Sequence, residues 1–321
     1  MSKYLIFPRL EVNRANALAT GGVVSMTPVM AATMLGVAFE QRCDLGFEVT
    51  GVMLVHHHAE LMAERALKQD DFHGDYNLIH IKGATLFNKG DLPSTYKAGR
   101  SLDYAVQPTV LMRGQWSVVL RLTDEISDRK VLKAATQFLH AARFAGGDIV
   151  SYGRPVVVDE LPSSGSVSEF EKVVRSGFVV SDASHLLSDR PEGMGRVEHL
   201  LRVCSERSSG SSEESGDPNR LKEGSEDMEE GASRFFRSPA VLGYALISMP
   251  GAVVGSRNDA PHAFCEPMLG VVGLSSIRKL KEARQSFDHL FWAVDWLASD
   301  VLAITQPISG VPEKHSSSVE V

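Results

Sequence analysis

Apolar positions along this chain recur with two different periods, and the changes of period mark its elements. Tyr4 to Val12 (YLIFPRLEV) is an apolar run of strand length, in which Pro8 marks an edge position or a local bulge. A polar loop, NRANALATGGVVS, follows. Thr27 is then placed to cap a helix that begins at Pro28, with Met30, Met34, Val37 and Ala38 at helical spacing as far as about Cys43. Phe47 to His58 (FEVTGVMLVHHH) predicts a second strand and Gln115 to Leu122 (QWSVVLRL) a third. Between them, from Tyr76 to Met112, Lys, Gly, Asn and Pro interrupt short β-like fragments, as in a long hairpin or arm. Val131, Leu132, Ala135, Phe138, Leu139 and Ala142 give a helical stripe over Asp128–Phe144, which Gly146-Gly147 is expected to stop. Asp148 to Val158 predicts a fourth strand, interrupted by Gly153 and Pro155.

In order this is β-α-β, an inserted arm, and β-α-β. The fold class expected is α+β, with the ferredoxin-like βαββαβ pattern over residues 1–158 and the arm at about 76–112. Two split βαβ units then set four strands in one antiparallel sheet with both helices on one face. The other face would stay open to a ligand, as in RNA-recognition domains, although a fold does not carry a function by itself. A looser, partly helical C-terminal region spans 159–306, with helical stretches at Val167–Arg175 and Arg196–Ser205 around the apolar GFVVS. Val241–Ser248 reads as a further strand. Two closing helices are expected near Ser275–Gln285 and Ser286–Thr305, the last with Trp292 and Trp296 one turn apart on the side away from its apolar stripe.

Composition changes the picture in one place. The net charge is −7, but nine acidic residues against three basic ones between Glu206 and Glu230 account for six of those charges. The rest of the chain is nearly neutral and has room for a local basic face. The acidic stretch at about 206–232 is rich in Ser and Gly and reads as a flexible loop, and 307–321 as a disordered tail. No run of about 18 apolar residues predicts a membrane span. The start lacks the pattern of a signal peptide. Three scattered cysteines, Cys43, Cys204 and Cys265, fit neither a disulfide framework nor a CxxC zinc site, and a reducing cytoplasm is expected.

His56-His57-His58 is the first group with catalytic or metal-binding character, since alternate residues of a strand share a face. Zinc needs three or four protein ligands, and the surrounding sequence offers only Glu60; the histidines read as structural or RNA-contacting. No GxSxG, Walker, HExxH or GxGxxG motif is present, and no catalytic residue, metal or cofactor is predicted. From Phe72 to Arg121, around the arm, Lys82, Lys89, Lys97, Arg100, Arg113 and Arg121 oppose Asp75, Asp91 and Asp103, and His73, Tyr76, His80, Phe87, Tyr96 and Tyr104 are interleaved. Cations for phosphates and rings for bases are the ingredients of single-strand binding, and an ordinary solvated hairpin is the alternative. Arg9, Asn13, Arg14 and Asn16 gather further donors after the first strand. On this layout the loop after the first strand and the Gly146-Gly147 turn lie near one another.

Several of these segments together resemble a known family. YLIFPRLEVNRANAL, GVMLVHHHAEL, LFNKGDLPSTYKAGRSLDYAV, ARFAGGDIVSYGRP, GFVVSD, LGYALIS, FCEPMLGVVGLSSIRKL and FDHLFWAVDWL fall in the order found in the CRISPR-associated Csy-two family. Where many members carry Gly-Phe-Pro before the first helix, this chain reads VVSMTPVM. The resemblance implies a Cas-five-type RAMP subunit of the type I-F surveillance complex, non-enzymatic, that holds the 5′ handle of the guide crRNA. It implies as partners a backbone subunit, a large subunit and, in the assembled complex, target DNA. RNA contacts are then expected from Arg9, Asn13, Arg14, Asn16, Lys82, Lys89, Lys97, Arg100, Arg113, Gly146, Gly147 and Arg154, the Gly-Gly pair being a general RAMP feature. A RAMP endoribonuclease using one of the three histidines, or a repeated backbone subunit, are the other readings.

Overall fold

The computed structural model describes residues 3–20, 23–43, 46–67, 76–80, 110–123, 127–162, 168–205, 236–252 and 261–307. Among them lie strands β1 (Lys3–Asn16), β2 (Leu18–Thr20), β3 (Val23–Val24), β4 (Val49–Leu61), β5 (Ala63–Leu67), β6 (Tyr76–His80), β7 (Leu111–Leu122), β8 (Arg143–Phe144), β9 (Gly147–Ser151) and β10 (Val156–Val158). The C-terminal half adds β11 (Phe178–Asp182), β12 (Phe236–Leu246), β13 (Cys265–Ser276), β14 (Ala293–Ala298) and β15 (Val301–Thr305). The helices are α1 (Val29–Cys43), α2 (Asp128–Ala141), α3 (Glu169–Val174), α4 (Arg196–Ser205) and α5 (Ile277–Glu282). This is a mixed α/β structure dominated by antiparallel pairing. One eleven-stranded sheet runs β14-β15-β12-β13-β11-β4-β7-β1-β9-β8, with β10 also paired to β1. The sheet therefore continues across the expected boundary at 158/159.

The strands at its centre are apolar at nearly every position because both faces are covered. Leu5 and Phe7 of β1, Val52 and Leu54 of β4, and Val118 and Leu120 of β7 pack under Leu35 and Phe39 of α1 and Val131, Ala135 and Phe138 of α2. Phe39 joins the two helices to the sheet, with ring centroids 5.4 Å from Phe7 and 5.3 Å from Phe138. The alternate residues, Tyr4, Ile6, Met53, Val55 and Val119, face the other way. They pack under Phe170 and Val174 of α3, Ile277 and Leu280 of α5, and Phe287, Leu290 and Phe291. The face expected to stay open for a ligand is sealed by this second layer.

A reciprocal cap sets the start of α3. The Ser168 hydroxyl accepts from the Glu171 N–H, and the Glu171 carboxylate accepts from the Ser168 N–H at 2.9 Å. That carboxylate also accepts from Lys281 of α5 at 3.0 Å. Burial would raise the Glu171 carboxyl, but the Ser168 N–H and the Lys281 ammonium outweigh it and hold it below the usual range. Ser168→Ala is expected to destabilise the protein by about 1 kcal/mol, measured by urea denaturation.

Four expectations are corrected. The polar NRAN segment is not a loop: β1 continues through it by two register shifts, between Phe7 and Leu10 and between Val12 and Ala15. The first is the bulge that Pro8 signals. Helix α2 ends at Ala141, before the glycines, and Gly146-Gly147 is not its stop. Phe144 pairs with Gly147 across a two-residue turn, Ala145 (φ 48°) and Gly146 (φ 75°), the positive φ values of a tight hairpin turn. Residues 286–305 do not form a helix. Ser299-Asp300 turns the chain between β14 and β15, with Ala298 opposite Val301. Finally, CEPMLGVVGLSS, not expected as a strand, is β13, the partner of both β11 and β12. Of the two tryptophans, Trp292 is buried, donating to the Val180 carbonyl, and Trp296 is exposed. The arm is described only at its base, where β5 pairs with β6.

Candidate nucleic-acid interface

The first β1 bulge turns Arg9 inward rather than out to a ligand. Arg9 has φ 51°, and its N–H donates to Ser117 Oγ at 2.9 Å. Its guanidinium donates to Gln115 at 2.9 Å and reaches the Val174 carbonyl at 3.5 Å, while its Nε is buried without a partner. Ser117 is fully buried and lies 2.8 Å from His57 Nε2, and His57 Nδ1 is 2.7 Å from the Ser176 carbonyl. A carbonyl only accepts, so Nδ1 carries the proton and Nε2 accepts from the Ser117 hydroxyl. Burial, with the Arg9 charge, lowers the His57 pKa to about 4 against the opposing Ser176 bond. His56 is also lowered to about 4, by burial and then by its two neighbours, and its Nδ1 accepts from Trp116 Nε1 at 3.1 Å. Both rings are neutral at pH 7 and tie strands together. With both its nitrogens engaged, His57 is not placed to take a proton from a 2′-hydroxyl. Among the described residues, no three His, Cys, Asp or Glu side chains cluster as metal ligands.

The second bulge meets the glycine hairpin, as the layout requires. Asn13 stands opposite Asp148, and the Asn16 N–H donates to the Ala145 carbonyl at 2.8 Å. Asn13, Arg14 (φ 59°) and Asn16 are exposed. The Asn16 amide is used locally, donating to the Leu18 carbonyl and accepting from the Leu18 N–H, both at 3.1 Å. This closes a side-chain turn and leaves less of the amide for a base edge. Gly147 serves packing: a Cβ there would lie 2.6 Å from the Ala15 nitrogen and 2.7 Å from the Asn13 carbonyl oxygen. Gly146 is open, with nothing within 4 Å of where a Cβ would stand. Beside this tip lies a cavity of about 210 Å³ lined by Asn16, Ala145, Thr27, Met30 and Tyr244. Tyr244, whose hydroxyl pKa is raised by burial and then by Cys265, has no sequence signal of its own. Its place beside Asn16 depends on the sheet joining the two halves of the chain.

The other cations divide. Arg113 is exposed on β7 and paired with Glu60 of β4. Arg154 is exposed in the segment between β9 and β10, next to Gly153, whose N–H donates to the Pro8 carbonyl at 2.8 Å. Arg14 and Arg154 have no ion pair or hydrogen bond among the described residues. Lys82, Lys89, Lys97 and Arg100 lie outside the described residues. Both faces of the central strands are covered, and Asn13, Arg14 and Gly146 are exposed where the second bulge meets the hairpin.

The family model for CRISPR-associated protein (Cas_Csy2) matches residues 5–301. The chain belongs to this family. It is thus a CRISPR-associated subunit of the Cascade type, in an assembly with other Cas subunits. Members of the Cas_Csy2 family are structural, generally non-catalytic subunits. A comparison with curated proteins found no match. The matched span runs from within β1 to the first residue of β15, so the Cas_Csy2 match takes in both layers that cover the central strands. No helix among the described residues is long and apolar enough to cross a membrane.

Proposed function

We propose that this Cas_Csy2 protein is the non-catalytic RNA-binding subunit that holds the 5′ handle of the guide crRNA in a type I-F surveillance complex. In the cytoplasm it would sit beside a backbone subunit and a large subunit, and help recognise target DNA in antiviral defence. The observation that carries this reading is the family match over residues 5–301. A ferredoxin-like RAMP core is part of it, supported by the order β4-β7-β1-β9 with β10 beside β1, and by α1 and α2 packing together on one side as the crossovers. The exposed Arg14 and Arg154, the Gly146 tip and the cations Lys82, Lys89, Lys97 and Arg100 of the arm are the proposed backbone contacts.

Sequencing of RNA that co-purifies with the protein and its partner subunits tests this. A uniform short guide with one fixed 5′ end is expected, and its absence would refute the assignment. The arm is tested separately. Lys89→Ala, Lys97→Ala and Arg100→Ala made together are expected to lower guide affinity about tenfold or more. They should also reduce the slope of log affinity against log salt by about 2, three contacts on a single strand being lost. An unchanged slope in the folded variant removes the arm from the interface.

A further inference from the structure

We infer that the cleft between α3 and α5 is a second binding site for a nucleic-acid backbone phosphate, centred on Arg175 and Arg284. This site lies outside the β1 margin and the arm, on the layer that seals the sheet, and it rests on the reading of the chain as a nucleic-acid-binding subunit. The cleft, of about 580 Å³, is lined by Glu171, Arg175, Arg278, Lys281, Glu282 and Arg284 among others. Four cations thus meet two carboxylates, in a chain whose overall charge is negative. Both carboxylates are already engaged: Glu171 with Lys281 at 3.0 Å, largely buried, and Glu282 with Arg278 at 3.2 Å. Arg175 and Arg284 are exposed and have no side-chain partner among the described residues.

Their backbone makes the same point independently. Each follows the end of a short helix, Arg175 donating its N–H to the Glu171 carbonyl and Arg284 to the Lys281 carbonyl. Each has positive φ, 62° and 53°, at the position after a helix where glycine is usual because a side chain is strained there. Two unpaired arginines at two strained positions of one cleft indicate that their side chains are used. Ser176, on the cleft wall, is bonded through its carbonyl to His57 and so to Ser117 and Arg9. Guanidinium groups suit phosphodiester oxygens, which they bind bidentately. The guide RNA and the target DNA strand both present this group.

The test uses the full-length chain with a fluorescein-labelled 12-nucleotide RNA and its DNA counterpart, titrated over a range of salt. Arg175→Gln with Arg284→Gln is expected to weaken binding about tenfold at low salt and to lower the salt slope by about 1.4, two single-strand phosphate contacts. Lys130→Gln with Lys133→Gln, the same charge change on α2, is expected to change the slope by less than half as much. Thermal melting of each variant verifies folding. Loss on RNA alone assigns the cleft to the guide, loss on DNA alone to the target strand, and loss on both to either backbone. Equal binding by the folded Arg175/Arg284 variant and the wild type overturns the cleft while leaving the guide-binding reading intact. A wild type that binds neither oligonucleotide and co-purifies with no guide overturns both.

Discussion

Gly147→Val is expected to abolish the folded protein rather than weaken a contact with RNA. The Cβ it adds would stand within 2.7 Å of three backbone atoms of β1, the Ala15 nitrogen and Cα and the Asn13 carbonyl oxygen. Backbone in a strand paired on both sides with β7 and β9 cannot shift as the end of a flexible side chain can. The loss should exceed about 4 kcal/mol, at the upper end for single substitutions. Gly146→Ala makes the contrast: its φ of 75° is strained for alanine but nothing stands near, so a cost of about 1 kcal/mol is expected. Circular dichroism melting of the two variants checks both. RNA affinity of Gly147→Val should fall only as the folded fraction falls; native-like melting would remove the packing role given to this residue.

The second large effect is acid destabilisation centred on His56 and His57. Both are lowered from 6.5 to about 4 in the folded protein, with burial as the largest cause. Between those values the unfolded chain binds the protons and the folded one does not, so stability rises with pH. The contribution is complete above about pH 6.5 and is lost as pH falls towards about 4. With solvent screening of these half-buried rings allowed for, it amounts to roughly 3 kcal/mol for the pair. Urea denaturation between about pH 7 and pH 4.5 should show that loss. His57→Gln, which keeps a donor and an acceptor, should flatten the profile by about half. A flat wild-type profile over this range would contradict the neutral, hydrogen-bonded state of His57 between Ser117 and Ser176.

Much of the scaffold was legible from local pattern alone. The stripe Val131, Ala135, Phe138 and Leu139 predicts α2 and the side it buries, and Arg196–Ser205 is a helix as read. The apolar runs of β1, β4 and β7 announce strands, and Pro8 announces the bulge that turns Arg9 inward. Candidate chemistry was legible only as residue types. Arg9 and Asn16 have the donors an RNA contact needs, but one is held by Ser117, Gln115 and Val174 and the other by Leu18. Tyr244, Arg175 and Arg284 carry no motif that singles them out.

Local pattern shows the main strands and helices of the first 158 residues in their order, β1, α1, β4, β7 and α2, and several motifs in one order point to the family. Those signals are local: a period of 3.6 or 2, a proline, a run of residue types. The tertiary structure alone decided that Ser286–Thr305 is a turn and a hairpin, because its apolar run suits either period until β12 supplies a partner for β15. It also decided that Phe287, Leu290 and Phe291 cover Tyr4, Ile6 and Met53, and that His57 is neutral. Burial and hydrogen bonding between residues far apart in the chain set these outcomes, and no window of neighbouring residues contains them.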